Sequence, residues 1–370
     1  MIGVAATASS SAGAADHLCR SSGRAPEHSG GGVDVLKEIR RREFLKRVVA
    51  TGAGAYGLGW FTRRGTAQQA ARAKGRSRVV IVRSSALGPF DGRPQPDQSL
   101  LSDMLARGMK ALTGESSAMK AWAKVIKPDD RVSIKVNGSG GPRCSSRPEL
   151  ANAIAAGAQA AGVAAESIII WDRRDRELDS VGFVINRDAA GVKCYGTEGD
   201  YADEMEHRSF RGRISRILAD RTTALINLPI LKDHNISGIS AALKNHYGTC
   251  NNPQAHHGNY CDPYLADLND LPLIRERTRL VVCDAIQAVC EGGPGFASPN
   301  HLWDYKGIML SFDPVAVDFI GWGLIDQRRK EIGLPSLADA GREPKWIATA
   351  EAIGLGAARK DRIELIEIEV

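Results

Sequence analysis

Residues 226–262 gather more side chains able to do chemistry than any other stretch of the chain. Four of the eight histidines and two of the seven cysteines lie there, together with two lysines among apolar residues. A desolvated lysine can act as a base or hold an anionic group, and histidine can transfer a proton. We therefore predict a catalytic group made of Lys232, His234, Lys244 and His246, with His234 as the proton-transfer residue.

The same stretch carries donor types that bind zinc, iron or copper. We predict metal ligands among residues that could hold a soft or a hard cation, namely Cys250, Cys261, His256, His257, Asp284 and Asp313. The Cys250–Cys261 spacing matches neither a zinc ribbon nor a ferredoxin run. A Cys250–Cys261 disulfide remains open, because the six cysteines after residue 73 are even in number and permit several pairings. For the histidines, simple hydrogen-bonded structural roles also remain open.

Polar residues follow several predicted strands, and functional groups gather at strand ends in sheets of this kind. Asp or Gly after a strand also makes ordinary turns, so the argument depends on several such clusters occurring together. We predict ligand-binding roles for five residues at these ends, in the lysine-bearing segment or in a glycine-rich turn: Lys135, Asn137, Asp172, Asn245 and Gly293.

The elements that must position these groups alternate between apolar strands and helices. Strands are predicted at 78–83, 131–136, 167–171, 224–228, 279–283 and 307–312, with an edge strand at 362–370. Helices are predicted at 148–161, 238–247, 314–325 and 346–353. The pattern predicts an α/β fold, a mostly parallel mixed sheet flanked by helices, in a single large domain over residues 74–370.

The chain before that domain has the layout of an export signal. Arg41 and Arg42 begin R-R-x-F-L-K, and a short Gly/Ala-rich apolar run follows over residues 48–61. Cleavage is expected at the A-x-A of residues 71–73 or, as a second choice, at residues 65–67. This layout is typical of a twin-arginine signal peptide over residues 40–73, preceded by a disordered extension over residues 1–39. We expect the twin-arginine translocase as partner, contact with the membrane only through the signal, and a periplasmic or cell-envelope location in a bacterium.

Charge agrees with this division of the chain. The sequence has 49 Lys and Arg against 43 Asp and Glu, and residues 1–73 hold 11 basic and 5 acidic residues. The rest of the chain is therefore neutral by formal count. Because nucleic-acid binding needs a localised basic footprint, the composition gives no reason to expect it.

Taken together, the motifs resemble the domain of unknown function 362 family. The resemblance is carried by K-V-N at 135–137, L-P-I-L-K-x-H at 228–234, A-L-K-N-x-x-G at 242–248, V-V-x-D-A at 281–285, G-G-P-G at 292–295 and S-x-D-P-V-A-V-D at 311–318. It covers about residues 78–330 and implies an iron–sulfur or redox association, because family members are often fused to ferredoxin-type modules. The chain departs from that pattern, since it has no C-x2-C-x2-C module. The family supplies no reaction.

Three functions follow as hypotheses. The first is a metal- or iron–sulfur-associated, possibly redox, enzyme of the cell envelope that acts on an anionic small molecule. The second is a non-catalytic periplasmic protein that binds an anionic ligand in the same cleft. The third is a structural protein stabilised by disulfides, in which the polar clusters are ordinary loop chemistry.

Overall fold

The computed structural model describes residues 75–90 and 92–370, which belong to one compact unit. The predicted twin-arginine segment with Arg41 and Arg42, and the boundaries predicted near residues 39 and 73, lie outside the described residues. Within the described part, no helix is both long and apolar enough to cross a membrane.

One large mixed sheet forms the centre of the described chain. Its strands run in the order β13-β1-β12-β10-β7-β2-β3-β4, with β11 and β8 added on β10 and β9 added on β8, while β5 and β6 form a separate hairpin. The strands are β1 Ser77–Arg83, β2 Val132–Lys135, β3 Ile168–Trp171, β4 Lys193–Cys194, β5 Met205–His207, β6 Phe210–Gly212, β7 Ala224–Asn227, β8 Ile230–His234, β9 Gly238–Ser240, β10 Thr278–Val289, β11 Leu302–Trp303, β12 Gly307–Ser311 and β13 Ile363–Glu369.

Parallel pairing dominates the main path of the sheet. β2 pairs in parallel with both β3 and β7, β7 pairs in parallel with β10, and only β12 runs antiparallel to its neighbours β1 and β10. The register places Lys135 opposite Trp171 on one side and Asn227 on the other. The carboxyl ends of β2, β3 and β7 therefore meet at one edge of the sheet, where α/β folds place their ligand sites.

Helices cover both faces of the sheet. They are α1 Gln98–Thr113, α2 Ala118–Val125, α3 Pro148–Ala160, α4 Asp175–Ser180, α5 Arg216–Arg221, α6 Tyr264–Asn269, α7 Pro272–Arg275, α8 Pro314–Glu331 and α9 Trp346–Ala352. Successive strand residues point to opposite faces. Ile168 and Ile170 accordingly pack in the core under α1 to α3, whereas Ile169 and Trp171 pack in the core shared with α8 and α9. The predicted α/β class, with a mostly parallel mixed sheet flanked by helices, is confirmed.

The predicted helix at 238–247 is wrong, and this error matters for the site. Residues Gly238–Ser240 form β9, which pairs antiparallel with β8, and a 3₁₀ helix follows at Lys244–Thr249. Gly238 has a φ of 76°, and a Cβ there would lie 2.1 Å from the carbonyl oxygen of Arg342. A left-handed residue in so close an approach starts a turn rather than a helix.

Candidate functional site

The carboxyl ends of β2 and β3, together with β8 and the Lys244–Thr249 helix, enclose a cleft of about 230 Å³. Its lining carries four cationic side chains against two carboxylates. The cleft is lined by Lys135, Asn137, Ser139, Asp172, Arg173, Glu177, Lys232, His234, Ser240, Lys244, Asn245, Tyr247, Gly248, Pro253, Gln254, His257 and Pro294. Seven of the residues singled out in the sequence as catalytic or ligand-binding are thus brought together.

Lys135 and Asp172 form a buried ion pair at the floor of the cleft. Lys135 Nζ lies 2.7 Å from Asp172 Oδ1, and both side chains are almost fully buried. The other carboxylate oxygen, Asp172 Oδ2, accepts the backbone N–H of Gly138 at 2.7 Å. Because each charge has an opposite charge in contact, the charge of Lys135 is already compensated before any ligand arrives.

Asn245 ties the 3₁₀ helix to the end of β2. Its amide Nδ2 donates to the carbonyl oxygen of Lys135 at 3.0 Å and to Asn227 Oδ1 at 2.7 Å. The neighbouring Gly248 packs so closely that a Cβ there would lie 2.6 Å from both Lys135 Nζ and Asp172 Oδ1. The helix that bears Lys244 is therefore fixed against the ion pair of the floor.

Lys232 enters the cleft from the middle of β8 and is about 1% exposed. Its ammonium donates to Asn137 Oδ1 at 3.2 Å, to the carbonyl of Ser139 at 2.5 Å and to the carbonyl of Cys144 at 2.9 Å. Among the described residues it forms no ion pair with a carboxylate. Burial lowers the pKa of Lys232 to about 8, because the charged form has lost water without gaining a counter-ion.

Lys244 forms the opposite wall and also lacks a carboxylate partner within the described chain. Its Nζ lies 3.0 Å from His257 Nε2 and 4.2 Å from the centre of the Tyr247 ring. His257 Nδ1 lies 2.9 Å from the carbonyl of Pro253, so Nδ1 carries the proton and Nε2 accepts from Lys244. Burial lowers the pKa of Lys244 to about 8, and burial together with Lys244 lowers the pKa of His257 to about 4.

His234 is held as a neutral hydrogen-bond donor. Its Nδ1 accepts the backbone N–H groups of Ile236 at 3.1 Å and Ser237 at 3.3 Å, which places the ring proton on Nε2. Burial, with a further contribution from Lys244, lowers the pKa of His234 to about 2. Such a histidine is a poor base and presents its Nε2–H as a hydrogen-bond donor, while the proton-transfer role predicted for His234 stays a prediction.

His246 lies outside the cleft, contrary to the prediction that groups it with the catalytic residues. It is buried beside a small cavity lined by Leu243 and Ile274, with Nε2 3.4 Å from Asn227 Nδ2. The reason is the 3₁₀ geometry of 244–249, which turns His246 inward while Lys244 faces the cleft. Burial lowers the pKa of His246 to about 3, so it is a neutral core histidine.

Gly293 is also not part of the lining, although its neighbour Pro294 is. The backbone N–H of Gly293 donates to Asp233 Oδ1 at 2.8 Å, and a Cβ at this position would lie 1.8 Å from the carbonyl oxygen of Asp233. The glycine lets the turn approach β8, which makes its role one of close packing rather than direct ligand contact.

The six predicted metal ligands are dispersed, and each polar one has another partner. Asp284 lies 2.6 Å from Arg147 in a fully buried ion pair. Asp313 caps the start of α8 by accepting two backbone N–H groups. His256 stacks on Phe210 with ring centres 5.0 Å apart, while the adjacent His257 faces Lys244.

The cysteines of the described residues are not grouped for a metal or a cluster either. Burial raises the pKa of the Cys250 thiol to about 12 and also raises that of the Cys261 thiol. Over residues 75–90 and 92–370, no group of three or more His, Cys, Asp or Glu side chains converges as a metal site. The donors of the described residues therefore do not fit the iron–sulfur group that the family resemblance implies.

The disulfide alternative is contradicted as well. The six cysteines of the described chain are buried free thiols, and Cys250 and Cys261 are not paired. Cys250 Sγ instead lies 3.4 Å from the carbonyl of Tyr247, and Cys261 Sγ lies 4.0 Å from Lys244 Nζ.

Several lining residues were not singled out in the sequence. Arg173 directly follows Asp172 at the end of β3, so its position after a strand was a usable signal. Tyr247, Ser240 and Gln254 had no such signal, because they reach the cleft through β9 and the turns after it.

Residues 132–323 match the family described as Domain of unknown function (DUF362). The chain belongs to this family. The matched segment contains the whole lining of the cleft, from Lys135 to Pro294. No curated protein matches the sequence. Among solved structures, the crystal structure of a Thermotoga maritima protein matches with 9% sequence identity and a TM-score of 0.36. The match covers 71% of this chain and 61% of the length of that protein.

Proposed function

We propose that the cleft of this DUF362 protein binds an anionic small molecule through Lys232 and Lys244. The observation that carries the proposal is that both ammonium groups are buried in one cleft without a carboxylate partner in the described chain. Burying an unpaired charge is costly, and the lowered pKa values near 8 reflect that cost. An anionic ligand would supply the missing counter-charge.

The two lysines have different roles in this proposal. An ammonium has three N–H donors, and those of Lys232 already meet three oxygen acceptors, so Lys232 contributes its charge rather than a new hydrogen bond. Lys244 has one strong acceptor, His257 Nε2, which leaves N–H donors for a ligand. With the Nε2–H of His234, Lys244 forms a donor pair suited to the two oxygens of a carboxylate.

We further propose that the cleft is an active site in which Lys244 moves a proton to or from the bound acid. A lysine with a pKa of about 8 is roughly one-tenth neutral at pH 7, which matches what a general base requires. The neutral amine of Lys244 would take the proton from the carbon next to the carboxylate, and the electron pair of that C–H bond would pass to the carboxylate oxygens as an enolate beside Lys232 and His234. The new ammonium of Lys244 would donate a hydrogen bond to His257 Nε2, which lies 3.0 Å away. His234 stays neutral and orients the substrate.

Isothermal titration calorimetry with acetate, butyrate and hexanoate tests the binding proposal. We expect at least one of them to bind, and Lys244→Met to weaken it roughly 10–100-fold, because a charge-assisted hydrogen bond is lost. Lys232→Met should weaken it about tenfold through loss of charge. Lys120→Met, at an exposed position on α2, is the matched control and should change nothing. Equal affinities in all four proteins would overturn the proposal.

Proton transfer has its own readout, which separates an enzyme from a binding protein. In deuterium oxide, the tightest-binding acid should exchange its carbon-bound hydrogen next to the carboxylate for deuterium, as observed by NMR. Lys244→Met should abolish the exchange. Binding without any exchange would leave the second hypothesis, a non-catalytic binding protein.

For export, we propose passage through the twin-arginine pathway, on the strength of the R-R-x-F-L-K sequence alone. Residues 1–73 fused to a fluorescent protein should direct it to the periplasm of a bacterium. Replacing Arg41 and Arg42 with lysine keeps the charge and should retain the fusion in the cytoplasm, whereas replacing Arg63 and Arg64 in the same way should not. Export of the Arg41 and Arg42 variant would contradict this proposal.

A further inference from the structure

A second groove adjoins the cleft and shares Arg173 with it. The groove has a volume of about 470 Å³ and is lined by Arg173, Arg174, Arg176, Glu198, Gly199, Tyr201 and Asn251. We infer that this arginine groove binds the phosphate group of a ligand whose carboxylate lies in the cleft, so that the ligand is a phosphorylated organic acid. The inference is based on the function proposed for the cleft and names its substrate class.

The positive charge of the arginine groove is only partly compensated. Arg173 is paired with Glu177 at 2.7 Å, but Arg174 and Arg176 form no ion pair among the described residues. The one carboxylate of the lining, Glu198, accepts the backbone N–H of Asp175. Because Arg173 is paired with Glu177, Arg174 and Arg176 remain unpaired against the single carboxylate Glu198. The groove therefore keeps a positive excess, of the sign that a phosphate with a charge of about −1.5 to −2 requires.

The far wall of the arginine groove is held to the end of β3 by its backbone. The N–H of Thr197 donates to the carbonyl of Asp172 at 3.0 Å, and the N–H of Glu198 donates to the carbonyl of Arg173 at 3.1 Å. Gly196 allows this contact, because a Cβ there would lie 2.5 Å from the backbone N of Asp175. Residues 196–199 are therefore fixed beside the arginines, and the groove is preorganised.

The same two segments build both sites. On one side, Asp172 holds Lys135 in the cleft. Arg173, Arg174 and Arg176, which follow Asp172 in the chain, supply the guanidinium groups of the groove. On the other side, Asn251 follows the 3₁₀ helix that bears Lys244. Asn251 Oδ1 accepts the N–H of Arg213 at 2.9 Å, which leaves the amide N–H donors of Asn251 to a ligand. One elongated ligand can therefore contact both segments at once.

A phosphate suits the arginine groove better than a second carboxylate does. Guanidinium groups present planar pairs of N–H donors that match phosphate oxygens, and three such groups offer more donors than the two oxygens of a carboxylate can accept. By contrast, the two lysines of the cleft act as point charges. Lys232 is hydrogen-bonded to backbone carbonyls, and Lys244 lies over the ring of Tyr247. The two sites thus differ in the anion that they select.

A set of ω-phosphonocarboxylates measures the span between the two sites. Phosphonoacetate, 4-phosphonobutyrate and 6-phosphonohexanoate are compared with acetate, butyrate and hexanoate by calorimetry on the full-length protein. We expect one phosphonate to bind roughly 10–100-fold more tightly than its matched carboxylate, with an optimum at the chain length that reaches the arginine groove. Equal affinity of phosphonate and carboxylate at every length would overturn the inference.

The double variant Arg174→Gln, Arg176→Gln locates the effect. Both side chains are exposed, so the fold should be retained, and the advantage of the phosphonate should disappear while carboxylate affinity is unchanged. Arg107→Gln on α1 is the matched control and should keep the full advantage. Loss of the phosphonate advantage in the control, or its persistence in the double variant, would contradict the inference that the arginine groove binds phosphate.

If no carboxylate binds at all, the function proposed for the cleft fails. If carboxylates bind and phosphonates gain nothing, only the arginine groove fails.

Discussion

Lys244 Nζ lies 3.0 Å from His257 Nε2, and the other ring nitrogen of His257 is fixed by the carbonyl of Pro253. The pairing makes His257 an acceptor rather than an acid, and it orients the ammonium of Lys244 at the wall of the cleft. Neither residue is near a carboxylate in the described chain. The adjacent His256 is turned away onto Phe210, so the two neighbouring histidines have different surroundings.

His257→Gln should weaken carboxylate binding about fivefold to tenfold, because Lys244 loses its fixed acceptor and becomes free to adopt other orientations. Calorimetry with the tightest-binding acid checks this. His256→Gln is the matched control. It removes stacking on Phe210 and should lower the melting temperature, yet leave affinity within about twofold. An equal loss of affinity in both variants would show that the loop, and not the Lys244–His257 contact, determines binding.

Anion affinity should be constant between pH 6 and 7.5 and should fall above pH 8. Binding requires the protonated lysines, and the pKa values of Lys232 and Lys244 are about 8, so each contributes a loss of roughly tenfold per pH unit above that value. The histidines of the cleft add no step near pH 6.5, because burial lowers the pKa of His234 to about 2 and that of His257 to about 4. Affinity that changes near pH 6.5 instead would assign the effect to a histidine.

The buried strands of the sheet could be predicted because their signal is local. Continuous β-branched runs such as Ile168–Trp171 are apolar on both faces, and parallel strands covered by helices need that pattern. The lysine-bearing strand Ile230–His234 could not be recognised in the same way. Three of its five residues are charged or polar, and their burial depends on distant partners such as Arg342, which lies 2.8 Å from Asp233.

The site could be predicted as a set of residues but not as an arrangement. The sequence pattern singled out lysines in apolar segments and polar residues that follow strands. Four of these residues line the same cleft, namely Lys135, Asp172, Lys232 and Lys244. The sequence had no means of separating His257, which faces the cleft, from His246, which does not. That difference follows from the 3₁₀ helix at Lys244–Thr249. The strand before this helix begins at Gly238, where a Cβ would clash with the carbonyl of Arg342, more than a hundred residues further along the chain.

Gly248→Ala should disrupt the floor of the cleft. The added methyl group would lie 2.6 Å from both Lys135 Nζ and Asp172 Oδ1, so the ion pair or the 3₁₀ helix must shift. We expect the free energy of unfolding to fall by about 1–3 kcal/mol, as for other overpacked sites, and carboxylate affinity to fall with it. Gly323→Ala in α8 is the control, because a Cβ there meets open space. It should raise stability by about 0.5–1 kcal/mol. Unchanged stability and affinity in Gly248→Ala would contradict the packing described.

Asp284→Asn distinguishes an ion pair from a metal site in the middle of β10. Asp284 Oδ1 lies 2.6 Å from the guanidinium of Arg147, and both side chains are fully buried. Removing one partner leaves a buried charge unpaired, so the free energy of unfolding should fall by about 3–5 kcal/mol in urea titrations. Asp103→Asn, which breaks the exposed pair with Arg107, should cost less than about 1 kcal/mol. Treating the unsubstituted protein with a chelator should leave its stability unchanged, because the partner of Asp284 is the guanidinium of Arg147 rather than a metal ion. A large loss of stability on chelation, matched by Asp284→Asn, would instead restore Asp284 as a metal ligand.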